Sequence, residues 1–113
     1  MLDRGPELFG GRNRTRVLLA IRLLEESFPS ELAALLGLRL FSVQCILASL
    51  EREAVIVSQM MGRTRRVSLN ARYFAFRELG ALLWKLGQQD IVLQEQLATR
   101  RRRPRRSSKP GTL

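Results

Sequence analysis

Apolar and polar residues follow the period of helices along most of this chain and the period of strands in one short stretch. A first helix is predicted from Arg14 to Glu26 after a cap at Asn13, and its apolar residues cover most of its circumference. Such a helix lies at the centre of a domain or is shared with a partner. A second, short helix is predicted to begin at Pro29 and to stop at Gly37, because proline suits a first helical turn and glycine suits a left-handed stop.

A third helix is predicted from Leu40 to about Glu53, only a few residues after that stop. Its inward stripe has the spacing i, i+3, i+4 and i+7 and consists of Val43, Ile46, Leu47 and Leu50. Two helices joined by so tight a glycine-containing turn are typical of a helix-turn-helix.

The period then changes to that of a β-hairpin. One strand is predicted over Ala54 to Met60 and the other over Arg65 to Leu69, with a glycine-containing turn between them. Asn70 is predicted to cap a long helix that begins at Ala71. Residues 87–90 are predicted to break or kink this helix before a last amphipathic segment.

This order of elements resembles the winged helix-turn-helix transcriptional regulators of the ArsR type. The resemblance covers roughly Glu7 to Leu86 and is carried by Glu7-Leu8-Phe9-Gly10, Pro29-Ser30-Glu31-Leu32, Ser42-Val43-Gln44, Leu50-Glu51-Arg52-Glu53 and Gly62-Arg63-Thr64-Arg65. It implies a mainly α fold with a small β-hairpin, and a regulator that binds double-stranded DNA. Metal-sensing relatives carry Cys and His clusters that this sequence lacks, so neither a metal nor another cofactor is expected.

One departure from the family concerns the turn between the third helix and the hairpin, where relatives usually have glycine and this chain has Ala54. A left-handed backbone would cost alanine about 1 kcal/mol, so a reshaped turn is expected. The predicted organisation is an N-terminal arm over 1–11, a DNA-binding domain over 12–70, a helical dimerisation region over 71–99 and a basic, disordered tail over 100–113.

The candidate DNA-reading surface is the side of the third helix opposite its core stripe. The candidate contacts there are Arg39, Phe41, Ser42, Gln44, Cys45 and Ala48. A glutamine can bind an adenine edge with two hydrogen bonds, and apolar side chains can meet thymine methyl groups. Two alternatives stay open: Phe41 and Ala48 can belong to a core or an interface, and Ser42 and Gln44 can be ordinary surface.

The hairpin supplies a second candidate DNA contact, since basic residues surround its glycine turn. Its candidate residues are Arg63, Thr64, Arg65 and Arg66, of which Arg63 and Arg65 share one parity and are expected to face phosphates together. The alternative is a solvated basic loop.

The helix that follows the hairpin is the expected homodimer interface, because a domain of this size cannot easily cover so many apolar side chains alone. The predicted interface residues are Tyr73, Phe76, Leu79, Leu83, Trp84 and Leu86. The alternative is that this helix packs only against its own domain.

The formal net charge of +10 over 113 residues is concentrated at one end. Residues 100–113 hold seven cations and no acid, whereas the remaining 13 basic residues face 10 acidic ones. The tail is therefore expected to bind DNA phosphates without sequence information. The alternative is that it only solubilises the chain.

Composition argues against an enzyme, a disulfide and a membrane protein. Histidine is absent and Cys45 is the only cysteine, so the commonest general base is missing and no intramolecular disulfide can form. Cys45 is either incidental or a redox switch. With no membrane span and no signal peptide recognised, a cytoplasmic protein is expected. The competing function is a winged-helix protein-interaction module with a nonspecific nucleic-acid-binding tail.

Overall fold

The computed structural model describes residues 9–102, which form five helices and one two-stranded antiparallel hairpin. In chain order the elements are α1 (Arg12–Leu24), α2 (Pro29–Leu36), α3 (Leu40–Arg52), β1 (Ile56–Met61), β2 (Thr64–Leu69), α4 (Phe76–Gln89) and α5 (Ile91–Arg102). The predicted fold class, mainly helical with a helix-turn-helix followed by a hairpin wing, is confirmed. Most of the predicted arm and most of the predicted tail, residues 1–8 and 103–113, lie outside the described residues.

Helix α1 lies at the centre of the domain, as its apolar circumference predicts. The side chains from Val17 to Ile21 are at most 1% exposed, because α2, α3, α4 and β2 all pack around this helix. The predicted cap is wrong: α1 begins at Arg12, and Asn13 lies inside its first turn. Gly11 occupies the cap position with a φ of 138°, a conformation that favours glycine, and turns the chain into the helix earlier.

The helix-turn-helix consists of α2 and α3. Helix α2 stops at Gly37, whose φ is 68°, and the next amide, that of Leu38, donates a 3.0 Å hydrogen bond to the carbonyl of Ala33. This is the left-handed stop that the sequence predicts. The predicted inward stripe of α3 is also confirmed, with three residues buried and Ile46 half-buried.

The hairpin wing is attached to the domain on both sides. Strands β1 and β2 pair in antiparallel register from Ile56–Leu69 at the base to Met61–Thr64 beside the turn. On the outer edge of β2, the backbones of Val67 and Ser27 exchange two hydrogen bonds of 2.8 and 3.0 Å. The segment between α1 and α2 therefore pairs with β2 through a single antiparallel bridge at Ser27.

The turn between α3 and β1 is not reshaped, contrary to expectation. Ala54 adopts the left-handed conformation itself, with a φ of 64°. Its amide donates to the carbonyl of Glu51, and the amide of Val55 donates to that of Leu50, both at 3.0 Å. These are the two bonds of a Schellman helix stop. Asn70 closes the turn from the far end of the wing, its Nδ2 donating to the Ala54 carbonyl at 2.9 Å.

The predicted start of the next helix at Ala71 is wrong. The Asn70 carboxamide oxygen accepts a 2.9 Å hydrogen bond from the amide of Arg72, and the chain makes turns before α4 begins at Phe76. Asparagine therefore caps a turn here and not the helix. The predicted break is confirmed: α4 ends at Gln89, and α5 folds back to pack on α2 and α4.

Among the described residues, no single helix has both the length and the apolar composition of a membrane span, although α2 and α3 meet that test together across their 120° bend.

Candidate nucleic-acid interface

The outer side of α3 is an open surface with an apolar centre. Phe41 is 72% exposed, and Gln44, Cys45 and Ala48 are exposed beside it. These residues recur at intervals of three and four, so they form one stripe along the helix. Ser42, on its flank, is half-buried. The alternative that Phe41 and Ala48 belong to the core of this chain is contradicted by their exposure.

Arginines stand at the two ends of this stripe. Arg39 immediately precedes α3 and Arg52 is its last residue, and both are exposed without an ion pair or hydrogen bond to any side chain that the structure describes. At about 1.5 Å of rise per residue, their backbones are separated by about 20 Å. No acidic residue lies between them on the exposed stripe, because Glu51 faces the wing.

Glu51 holds the wing against α3. Its two carboxylate oxygens accept hydrogen bonds from the Ser58 hydroxyl at 2.6 Å and from Arg65 Nη2 at 2.5 Å. The Arg65 side chain is only about one-third exposed. Arg65 therefore joins the wing to α3 and is not free for phosphates in this arrangement.

The three wing arginines consequently have different environments. Arg66 Nη1 lies 3.2 Å from a carboxylate oxygen of Glu26, and its guanidinium carbon lies 5.7 Å from the centre of the Phe28 ring. Arg63, in the turn, is exposed and makes no such contact with any described residue, and Thr64 beside it is also exposed. Arg63 and Arg65, which were expected to face phosphates together, therefore differ: Arg63 is open to solvent, whereas Arg65 contacts Glu51.

Two basic residues of α1 brace the domain internally. Arg14 donates to the Ser49 hydroxyl at 2.6 Å and to Glu53 at 2.8 Å, joining α1 to the end of α3. Arg16 donates to the carbonyl of Leu36 at 2.9 Å. Burial lowers the pKa of Arg16, and the nearby positive charge of Arg12 lowers it further. Neither bracing role has a signal in the local sequence, because the partners that join α1 to α2 and α3 are at least 20 residues away.

The predicted dimer residues divide between the core and the surface. Leu83 is fully buried in its own domain, which contradicts its assignment to an interface, while Trp84 is 45% exposed with Arg22 stacked 5.0 Å from its ring centre. The remaining four are half-buried: Tyr73, Phe76, Leu79 and Leu86. Sequence reasoning missed four more exposed apolar side chains, namely Phe74, Leu82, Ile91 and Val92.

Helix α5 is fastened to the helix-turn-helix by a buried carboxylate. Glu31 of α2 is 5% exposed and accepts a 2.7 Å hydrogen bond from the Ser27 hydroxyl and a 3.1 Å bond from Arg100 Nη2. Arg100 was expected to begin a disordered tail, whereas α5 continues to Arg102. The root of the basic segment is therefore part of the folded domain.

Other chemistry in the described part of the chain is sparse. The Cys45 thiol is free and exposed, and residues 9–102 contain no cluster of three or more His, Cys, Asp or Glu side chains that could hold a metal ion.

No protein-family model and no curated protein matches this chain. Solved structures do share its fold. A cysteine-substituted form of MarR from E. coli matches 81% of this chain with 21% identity and a TM-score of 0.58, and the same substituted protein bound to operator DNA matches with a TM-score of 0.57. A cysteine-substituted form of ZitR from Lactococcus lactis matches 84% of the chain with 13% identity and a TM-score of 0.59. This chain spans 64–67% of the length of those three chains.

Proposed function

We propose that this chain is a transcriptional regulator that binds double-stranded DNA with sequence-specific or semi-specific recognition. The observation that carries the proposal is the exposed stripe of α3 with Arg39 and Arg52 at its two ends, neither of which forms an ion pair with a described residue. A major groove about 12 Å wide admits a helix, and cations about 20 Å apart can reach the phosphates on its two sides. The operator complex of MarR supports this proposal through similarity of fold alone.

In the proposed complex the tip of the wing, residues 61–66, lies along the DNA backbone or in the minor groove. Arg63 is its phosphate contact, because it is the wing arginine that no described carboxylate neutralises. Arg65 acts indirectly by holding the wing to α3 through Glu51. Arg66 is also predicted to face DNA, at the cost of its contact with Glu26.

Fluorescence anisotropy of labelled duplex DNA across a salt series tests the proposal. Arg63→Ala should weaken binding and reduce the slope of log K against log salt by about 0.9, the value for one neutralised phosphate. Arg72→Ala is the matched control, because it removes one exposed arginine that lies outside α3, the hairpin and the two helices proposed below as a dimer interface. It should leave the slope unchanged.

A truncation completes this experiment. A chain ending at Arg102 lacks the cations of residues 103–113 but keeps the Arg100–Glu31 contact that fastens α5. It should bind with a shallower salt dependence and still retain affinity at low salt. If this truncated chain has no affinity at low salt, and Arg63→Ala leaves the full chain unchanged, binding through α3 and the wing is refuted.

We further propose that the regulator is a homodimer joined through α4 and the start of α5. Trp84, Leu82, Ile91 and Val92 are 41–71% exposed there, and contact with a second copy of the chain would remove these large apolar side chains from water. Ile91→Glu should convert dimers to monomers in analytical ultracentrifugation. Met61→Glu, which adds the same charge to a wing residue 56% exposed, is the control and should leave the dimer intact.

A protein-interaction module is the second candidate function. It is favoured by one observation: the exposed side chains of α3 and the wing include the large apolar residues Phe41, Met60 and Met61. Copurification of a stoichiometric protein partner, lost in Phe41→Ala, would support this alternative.

The proposed regulator is cytoplasmic and has no catalytic step, and it requires no metal or cofactor. Its assignment to the ArsR type remains a prediction, because the structural neighbours described above are MarR and ZitR.

A further inference from the structure

The exposed stripe of α3 has the wrong chemistry for reading guanine. Arginine and lysine make the commonest guanine contact, with the O6 and N7 atoms. The central positions of the stripe carry Phe41, Gln44, Cys45 and Ala48, with no cation among them. The arginines occur only at its ends, and the cations Arg14 and Arg65 near α3 are held by Glu53 and Glu51.

The same stripe suits A·T base pairs. Thymine presents a C5-methyl group in the major groove, and adenine presents an N7 acceptor beside an N6 donor. Phe41 is 72% exposed near the start of α3, and Ala48 lies two turns further along the same side. Gln44 lies one turn after Phe41, and its carboxamide has the donor and acceptor that an adenine edge requires.

We propose that α3 selects A·T pairs at the centre of its DNA site, with Phe41 and Ala48 packing on thymine methyl groups and Gln44 bonding adenine. This inference rests on the proposed DNA binding and specifies the base pairs read. The end arginines contribute affinity by neutralising phosphates, and the centre of the helix contributes selectivity. Charge complementarity thus holds the helix in the groove while apolar contacts distinguish the bases.

The experiment begins with the full chain selecting from a pool of random 24-base-pair duplexes at fixed salt. The selected duplex is then compared with a copy in which deoxyuridine replaces thymidine at the central positions, which removes only the methyl groups. Each methyl group buried against the protein should contribute about fourfold in affinity (about 0.8 kcal/mol). The uridine duplex should therefore bind the unaltered chain at least about fourfold more weakly.

Phe41→Ala should bind the thymidine duplex more weakly and should discriminate less between it and the uridine duplex, because only Ala48 then packs on a methyl group. Phe74→Ala is the matched control, because Phe74 is 92% exposed, lies outside α3 and should leave the discrimination intact. Both side chains are exposed, so thermal unfolding should show that both variants fold. Replacing the central adenines with 7-deazaadenine should weaken binding by the unaltered chain and leave Gln44→Ala unaffected.

The outcomes separate this inference from the proposed function. If the selected duplexes have G·C centres, or if the chain binds thymidine and uridine duplexes equally, the thymine-methyl inference is overturned while DNA binding stands. If nothing is enriched and no duplex binds even at low salt, the proposed function itself fails.

Discussion

Replacing Ala54 with glycine tests the structure at the junction between α3 and the wing. Ala54 is held at a φ of 64°, a conformation that a Cβ atom disfavours. The hydrogen bonds that hold it there join backbone groups or come from the Asn70 side chain. Ala54→Gly should therefore keep all of these bonds and remove only the strain.

The expected gain follows from two opposing contributions. A left-handed conformation costs a residue with a Cβ about 1–2 kcal/mol relative to glycine. Glycine also makes the unfolded chain more flexible, which offsets about 0.4–1 kcal/mol of that gain. We expect the free energy of unfolding to rise by about 1 kcal/mol, which corresponds to an increase of about 4–8 °C in Tm for a domain of this size.

Thermal and urea unfolding followed by circular dichroism measure this change. Ala48→Gly, the same substitution on the exposed side of α3, is the control and should lower the free energy of unfolding by about 1 kcal/mol. The two variants should thus move Tm in opposite directions. A Tm for Ala54→Gly at or below that of the unaltered chain would show that the strain argument is wrong.

Three further substitutions test the packing of the C-terminal helices. A Cβ added to Gly87 would lie 2.9 Å from a methyl carbon of Leu23, so Gly87→Ala should lower the free energy of unfolding by about 1–3 kcal/mol. A Cβ added to Gly80 meets nothing closer than 3.6 Å, so Gly80→Ala should raise the free energy of unfolding by up to about 1 kcal/mol. Equal effects of the two substitutions in urea titrations would contradict this packing. Glu31→Gln removes the charge that holds Arg100 and should cost about 1–2 kcal/mol, with faster hydrogen exchange in α5; unchanged exchange there would show that the contact does not fasten the helix.

The order of the elements was predictable because their signals are local. Gly37 stops α2 in the left-handed conformation, and the stripe from Val43 to Leu50 faces inward at helical spacing. The change to alternating residues likewise locates the hairpin. Such signals depend on neighbours within a few positions, so a single sequence contains them.

The state of the wing arginines was not predictable, because it depends on partners far along the chain. Arg65 and Arg66 share the local sequence of Arg63, yet Glu51 and Glu26 neutralise them across 14 and 40 positions. The alternation of side chains along a strand predicts which side of the hairpin a residue faces, but not which carboxylate of another element lies on that side.

The C-terminal helices illustrate the same limit. An apolar pattern identifies the side chains that must be buried but not which element buries them. Leu83 is buried within its own domain, whereas Trp84 is 45% exposed. Helix α4 also begins five residues later than predicted, because the Asn70 carboxamide forms a local hydrogen bond in a turn. Competing local bonds of this kind are not distinguishable from a helix cap by residue type alone.

The carboxylate of Glu51 has a consequence for the thermodynamics of the proposed DNA binding. Because it binds both Ser58 and Arg65, the wing is oriented relative to α3 before any DNA is present. Ordering a loop at an interface costs conformational entropy, and a surface that is already ordered avoids that loss when it binds. Glu51 can in this way raise affinity without touching a nucleotide, because it makes the surface formed by α3 and the wing more rigid.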